Sequence, residues 1–226
     1  MKYFKRILNI LVILSSAFGV SYSLFSGGFS LQPLLFFTTL SNIFVLVMSS
    51  ILLYFDLSKI ELTKIIDLLN YLATAAITLT FLVFSIFLMP TYFRDGNTAY
   101  LVSIGNIVNH NLTPILMITY YIMYGKKVRY KDMLYTLIFP LIYFVFALMA
   151  NPVFGIVFNS SGDLVPYFFL DHYTHGWFTL NNGFFGLGVF FWVIIILGVV
   201  LGIASLLTFI KGLKKEEHPI LSEQRT

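Results

Sequence analysis

The sequence contains no cysteine and few charged residues. Without cysteine the chain can form no disulfide and offers no thiolate as a nucleophile or a metal ligand. Charged residues make up 11% of the 226 residues, less than half the ~25% of an average soluble domain. Hydrophobic residues make up 58% and aromatic residues 18%. A soluble fold of this length cannot bury that much apolar surface, which excludes the soluble, disordered and coiled-coil classes.

Six apolar segments are long enough to cross a bilayer, which takes about 20 mostly apolar residues. Because an open strand leaves its backbone unpaired in lipid, each segment is predicted to be a helix. The sequence therefore predicts an all-α polytopic membrane protein, with one six-helix bundle over residues 1–210 and a polar tail over residues 211–226. The predicted spans are 7–26, 34–55, 67–89, 100–124, 133–155 and 184–210.

The basic residues are concentrated on one side of the predicted bundle. If the N-terminus is cytoplasmic, every lysine and arginine except Arg94 lies in a cytoplasmic segment. This distribution satisfies the positive-inside rule, so both termini and the tail are predicted to be cytoplasmic. The net charge of +4 is accordingly interpreted as an orientation signal beside anionic headgroups, and no nucleic-acid partner is expected.

One histidine lies inside a predicted span. His110 is near the middle of span four and shortly precedes Pro114. An ionisable group in a span marks a candidate functional site, since lipid cannot pair it, although a buried structural histidine is the alternative. No span carries a central carboxylate, lysine or arginine, which excludes a retinal Schiff base and a carboxylate-based proton path. One histidine cannot hold a transition metal alone, so neither a metal nor a cofactor is expected.

Hydroxyl and amide side chains lie on predicted span two and on predicted span four, which carries His110. Thr38 and Thr39 are predicted at a depth that side chains and helix tilt can bring close to His110. A threonine hydroxyl beside a histidine base is a candidate nucleophile. Alternatively, these polar groups only join helices through hydrogen bonds. The candidate oxyanion donors and substrate-binding amides are Asn42, Asn106 and Asn109.

The longest predicted loop, residues 156–183, lies outside between spans five and six. It is rich in aromatic residues, and we expect it to fold onto the outer mouth of the bundle at headgroup level. Asp171 and His172 in this loop are assigned to substrate binding. Together with His175 they also have side chains that suit a metal, but an interfacial cap held by hydrogen bonds is the favoured interpretation.

Four short motifs occur in an order that resembles a known family. The chain is similar to the androgen-induced and androgen-dependent six-helix membrane proteins, and it resembles their bacterial relatives more closely. The resemblance covers about residues 35–175 and implies location in a bacterial plasma membrane. The motifs are Phe-Thr-Thr-Leu-Ser-Asn at 37–42, His-Asn-Leu-Thr-Pro at 110–114, Pro-Leu-Ile-Tyr at 140–143 and Pro-Tyr-Phe-Phe-Leu-Asp at 166–171.

The animal members of that family are intramembrane threonine hydrolases that cleave esters between a fatty acid and a hydroxy fatty acid. The resemblance implies His110 as the base and either Thr38 or Thr39 as the nucleophile. The Phe-Thr-x-x-Ser-Asn pattern favours Thr38, while the spacing to Asn42 favours Thr39, which we prefer. The sequence departs from the animal pattern in lacking a second histidine close before His110.

The function expected from the sequence is therefore hydrolysis or acyl transfer on a lipid ester inside the membrane. The substrate would be a membrane lipid or a fatty acyl ester. The alternative is a non-catalytic integral membrane protein that binds a lipid or another ligand as a carrier or a partner subunit.

Overall fold

The computed structural model describes residues 2–96, 98–159, 162–180 and 186–213, and the regular structure in these residues is helical. The α-helices are α1 (Lys2–Phe25), α2 (Phe37–Ser58), α3 (Lys64–Val83), α4 (Met89–Arg94), α5 (Thr98–Leu101), α6 (Ile104–Ile107), α7 (Thr113–Tyr124), α8 (Ile138–Phe154), α9 (His172–His175) and α10 (Val189–Leu213). The predicted all-α class is confirmed.

Two π-helices interrupt the longer helices. Phe84–Leu88 joins α3 to α4, and Val108–Leu112 joins α6 to α7. A π-helix closes its hydrogen bonds one residue further along the chain than an α-helix, so it packs an extra residue into one turn. Short 3-10 helices cover Gln32–Leu35, Tyr130–Leu137 and Phe168–Leu170.

Five helical stretches are long and apolar enough to cross a membrane. Each overlaps one predicted span, and the ends differ by a few residues because several helices continue into polar sequence. These stretches support the prediction of an integral membrane protein. They are Lys2–Phe25, Phe37–Ser58, Lys64–Arg94, Tyr130–Phe154 and Val189–Leu213.

The predicted fourth span, residues 100–124, is not one helix. The helix breaks at Val102 and Ser103, where the Ser103 hydroxyl accepts a hydrogen bond from the Asn106 backbone N–H (3.4 Å) and caps α6. A serine at this position satisfies a free N–H at a new helix start, which favours a break. From Ile104 the helical structure continues to Tyr124, a length of roughly 30 Å at 1.5 Å per residue. The six-span arrangement stays a prediction.

The predicted polar tail starts at residue 211, before the last helix ends in the structure. α10 continues to Leu213, and Lys211 is buried, with its ammonium donating to the Ile122 carbonyl (3.3 Å). A lysine can remain in a helix here because its stem packs on apolar surface while its charge finds an acceptor. Residues 214–226 of the tail, and residues 181–185 at the start of the predicted sixth span, lie outside the described residues.

Helices α1, α2, α3 and α7 pack on one another around a shared apolar core. Helix α10 packs against α3 and against the 3-10 helix that precedes α8. The Tyr71 hydroxyl ties α3 to α10 by donating to the Ala204 carbonyl (2.9 Å). The central core side chains are Val12, Val45, Met48, Ile77 and Met117.

One end of the bundle carries paired charges. Asp56 at the end of α2 pairs with Lys5 (3.2 Å) and with Arg6 (2.5 Å) at the start of α1. Asp67 near the start of α3 pairs with Lys126 (3.0 Å) after α7. We call this the basic end and the opposite end, where the cavity described below lies, the cavity end. The basic end is the one that the charge pattern predicts to be cytoplasmic.

Candidate functional site

A cavity of about 460 Å³ lies at the cavity end, between α1, α2, the two π-helices and the loop before α9. Thr38, Thr39 and His110 all line it. A smaller apolar pocket of about 70 Å³ adjoins it between α3, α8 and α10. Thr38 and His110 line both spaces, whereas Thr39 lines only the larger cavity. Thr38 and His110 therefore mark the boundary between a polar and an apolar compartment.

His110 is held in the π-helix Val108–Leu112, where the Thr113 N–H donates to the Val108 carbonyl. The imidazole is buried and stacks on the ring of Phe84, with 4.1 Å between ring centroids. Phe84 begins the other π-helix, so the two irregular turns meet at this ring pair. The ring also contacts the Thr80 backbone. Its Nδ1 atom has no hydrogen-bonding partner among the described residues.

A chain of hydrogen bonds fixes Thr38 relative to α3. The hydroxyls of Ser41 and Thr80 are 2.8 Å apart, and the Ser41 hydroxyl also donates to the Thr38 carbonyl (3.0 Å). The Thr80 backbone also contacts the His110 ring, so Ser41 and Thr80 connect the Thr38 backbone to the imidazole. Buried side-chain networks of this kind restrict rotamers and fix geometry.

The three candidate amides make hydrogen bonds within the protein, and their role as oxyanion donors or substrate-binding groups stays a prediction. Asn42 is fully buried, and its NH₂ group donates to the carbonyls of Thr38 (2.8 Å) and Asn109 (3.2 Å). Asn106 and Asn109 line the cavity, but their NH₂ groups also donate to protein oxygens. Asn42 and Asn109 each donate two hydrogen bonds and so use both amide N–H groups, whereas Asn106 donates one. The side-chain oxygens of all three amides are buried without a hydrogen-bonding partner among the described residues.

Tyr167, in the loop before α9, is a site residue that the sequence analysis missed. It lines both the cavity and the apolar pocket. Burial raises the pKa of Tyr167, while contact with the Thr38 side chain lowers it. Tyr143 lies beside it, with 6.3 Å between ring centroids, and donates to the Leu35 carbonyl (3.0 Å). Both tyrosines belong to motifs that carried the family resemblance, which was the signal available for finding them.

Asp171 and His172 lie away from this cavity. The Asp171 carboxylate accepts from the Thr174 N–H (3.0 Å) and caps α9. The His172 ring packs on Tyr173 and Trp177, with centroid distances of 4.1 Å and 5.5 Å. Neither side chain lines the space that contains His110. Their contacts fit the interfacial cap considered from the sequence, and their assignment to substrate binding stays a prediction.

A hydroxyl and an imidazole at such a boundary suit the cleavage of an ester that lies across it. The carbonyl would reach the two side chains while its apolar part enters one compartment and its polar part the other. Comparison with protein-family models, with curated proteins and with solved structures finds no match to this chain.

Proposed function

We propose that this protein is an intramembrane lipid esterase or acyltransferase in which Thr38 is the nucleophile and His110 the base. The observation that carries the proposal is that these two residues each line both the polar cavity and the apolar pocket. Thr39, which the sequence spacing favoured, lines the cavity alone and ranks second. A six-span bundle in a bacterial plasma membrane, with both termini cytoplasmic, belongs to the same proposal.

The contacts of His110 suit a general base. A neutral imidazole carries its proton on one nitrogen and presents a lone pair on the other. Contact with the Thr80 backbone orients the ring, and Nδ1 has no partner in the part of the chain that the structure describes. With the proton on Nε2, Nδ1 is the atom that accepts the threonine proton. Positioned general bases contribute about 10²- to 10⁴-fold to rate.

The reaction then proceeds in two halves. The Thr38 hydroxyl oxygen attacks the ester carbonyl carbon, and His110 takes the hydroxyl proton. The tetrahedral intermediate collapses, the bond to the alcohol oxygen breaks, and His110 returns the proton to that oxygen. Water attacks the acyl-threonine in the same way and releases the fatty acid, or a second alcohol takes the acyl group. Tyr167, in contact with Thr38, is the candidate donor to the carbonyl oxygen.

The second candidate function is lipid binding without turnover. It is favoured by the burial of His110 and by its stacking on Phe84, both of which also suit a structural histidine. The same cavity and pocket would then hold a lipid that is carried or presented to a partner.

Labelling with a fluorophosphonate probe tests the proposal, because such probes react with activated hydroxyls. The protein purified in detergent is compared with Thr38→Ala, Thr39→Ala and His110→Gln, and with His175→Gln as the matched histidine control outside the cavity. We expect Thr38→Ala and His110→Gln to lose labelling and palmitoyl-ester hydrolysis by about 100-fold or more. Thr39→Ala and His175→Gln are expected to keep wild-type labelling and wild-type hydrolysis. All variants are expected to elute at the wild-type volume in size-exclusion chromatography.

Undiminished labelling in both threonine variants and in His110→Gln removes the enzyme proposal. Loss of labelling in Thr39→Ala alone transfers the nucleophile to Thr39. Absence of labelling and hydrolysis in the wild type, together with stoichiometric bound lipid, favours the carrier function.

A further inference from the structure

The apolar pocket beside Thr38 and His110 is too small to enclose a long acyl chain. Its volume of about 70 Å³ has room for roughly five to seven groups of the size of a water, each of which needs ~10–15 Å³. A methylene group is of similar size, so only the carbons nearest the ester of a palmitoyl chain fit inside. The rest of such a chain must leave the pocket on a side that is open.

The two ends of the pocket are closed by described residues. Toward the cavity end, Trp192 of α10 packs on Phe168 and Phe169, with 5.4 Å and 5.8 Å between ring centroids. Phe169 and Trp192 both line the pocket, so this aromatic cluster covers it. Toward the basic end, α10 packs closely on the 3-10 helix Tyr130–Leu137 that precedes α8. A chain in the pocket therefore cannot extend along the bundle axis without displacing packed side chains.

The pocket reaches the surface of the molecule between α8 and α10. Leu141 of α8 lines it and is 39% exposed, while Val193 and Ile196 of α10 line it from the other side and are partly buried. The backbones of α8 and α10 make few close contacts, in contrast to those of α10 and the 3-10 helix before α8. The two helices therefore diverge toward the pocket and leave a gap between them.

Apolar side chains flank this gap on the outside of the bundle. Ile142 of α8 and Ile194 of α10 each follow a pocket-lining residue in the chain, and both are exposed. Both helices belong to stretches that are long and apolar enough to cross a membrane, and exposed apolar surface on such stretches marks contact with lipid. In a bilayer the gap opens onto hydrocarbon.

We infer that the substrate enters sideways from the bilayer, through the gap between α8 and α10, and that the distal part of its acyl chain stays in lipid during the reaction. The inference rests on the proposed function for its chemistry and narrows the substrate to a long-chain ester dissolved in the membrane. The carbons next to the carbonyl occupy the pocket, and the carbonyl stands at Thr38 and His110. A chain that remains in hydrocarbon exposes no apolar surface to water on its way to the site.

Fluorescence of Trp192 tests this route, because its side chain is fully buried and lines the pocket. The chain contains two tryptophans, so Trp177→Phe leaves Trp192 as the sole emitter. This full-length variant is reconstituted in phosphatidylcholine vesicles and receives a stearoyl ester of glycerol that carries bromine, a contact quencher, near either the carboxyl end or the methyl end of the chain. We expect the ester brominated near the carboxyl end to quench most of the Trp192 emission, and the other ester to leave it nearly unchanged.

A tryptophan on the lipid-facing surface is the control for the two probes. Ile194→Trp, in a background of Trp177→Phe and Trp192→Phe, carries its only tryptophan at an exposed position of α10. Both brominated esters are expected to quench this emitter, because it contacts bilayer lipid directly. The control shows that bromine near the methyl end quenches wherever it makes contact.

A block placed in the gap tests the same route by a second measurement. The chain has no cysteine, so Leu141→Cys and the matched control Ile142→Cys each carry one thiol, which is alkylated with pyrenyl maleimide after reconstitution. Leu141 lines the pocket, whereas Ile142 does not. Alkylation of Leu141→Cys is expected to reduce hydrolysis of palmitoyl esters about tenfold or more, because the carbonyl no longer reaches the threonine.

The same alkylation, made in the Trp177→Phe background, is expected to abolish quenching of Trp192 by the ester brominated near the carboxyl end. Alkylation of Ile142→Cys changes neither hydrolysis nor quenching. Each variant is compared with itself before alkylation, so a folding defect caused by the substitution does not enter the ratio.

Unchanged Trp192 emission with the ester brominated near the carboxyl end overturns the inference, even where esters are hydrolysed. Unchanged quenching and hydrolysis after alkylation of Leu141→Cys overturns it as well. Quenching that this alkylation abolishes, without hydrolysis of any ester, supports the lateral route and removes the enzyme proposal. Failure of the route and failure of the enzyme proposal are therefore distinguishable.

Discussion

The two ends of the bundle differ in charge pairing and in the regularity of their helices. At the basic end, Asp56 and Asp67 are paired with cations, and Thr63 caps α3 by accepting from the Ile66 N–H (3.3 Å). At the cavity end, two π-helices interrupt the chain beside the cavity. Buried side-chain atoms without a partner among the described residues lie toward both ends, on Asn9 and Asn70 as well as on Asn106 and His110. Regular packing at one end supports irregular structure at the other. Irregular backbone persists where the surrounding structure holds it in place.

The largest expected effect comes from the contact between α1 and the π-helix Val108–Leu112. A Cβ atom added at Gly19 would overlap the Asn109 side chain, whose amide donates to the Gly19 carbonyl. Overpacking of this kind costs typically 1–3 kcal/mol. Gly19→Ala is expected to lower the melting temperature in detergent and to reduce ester turnover, since the π-helix that holds His110 must shift.

Gly198→Ala is the matched control, because a Cβ there meets nothing within 4 Å. In a helix interior alanine is favoured over glycine by about 1 kcal/mol, so this variant should melt at or above the wild-type temperature. Equal melting temperatures for Gly19→Ala and wild type would show that the cavity end tolerates crowding, and would contradict the contrast drawn between the two ends.

The next effect concerns the apolar pocket. Val193 lines it, while the adjacent Ile194 is exposed on α10 and does not. Val193→Trp fills the pocket and is expected to reduce hydrolysis of palmitoyl esters about tenfold relative to butyryl esters, a shift of about 1.4 kcal/mol. Ile194→Trp, which points away from the pocket, should leave the ratio of kcat/KM values unchanged. A parallel loss for both chain lengths in Val193→Trp would argue against an acyl-chain pocket.

The smallest effect is expected at the contact between α3 and α10, outside the cavity. Tyr71 is fully buried, and its hydroxyl donates to the Ala204 carbonyl and lies 3.2 Å from the Thr208 hydroxyl. Tyr71→Phe removes these bonds but keeps the ring packing, at a cost of about 0.5–1.5 kcal/mol. We expect a slightly lower melting temperature with unchanged kcat and KM. A change in kcat would mean that the two ends are coupled.

Five of the six predicted spans coincide with long apolar helices, and these could be predicted from the sequence because a long apolar run in lipid has only one stable backbone form. The break at Ser103 could not, since it depends on a local competition for one backbone N–H rather than on hydropathy. His110 could be identified as a candidate site residue from the sequence because ionisable residues are rare in membrane spans. The hydrogen bond from the Asn106 amide to the Leu101 carbonyl could not be predicted, because it depends on the helix break between the two residues. Tyr167 reaches Thr38 only through the fold of a long loop.

The π-helix that carries His110 also sets the rotational position of the helix that precedes it, α6. Because a π-turn holds one surplus residue, deleting a single amino acid within Val108–Leu112 would restore ordinary winding and rotate the preceding helix by about 100°. Asn106 would then swing away from the cavity, while α7 and the rest of the bundle kept their places. A homologue shorter by one codon at this point would share the architecture and lack the pocket.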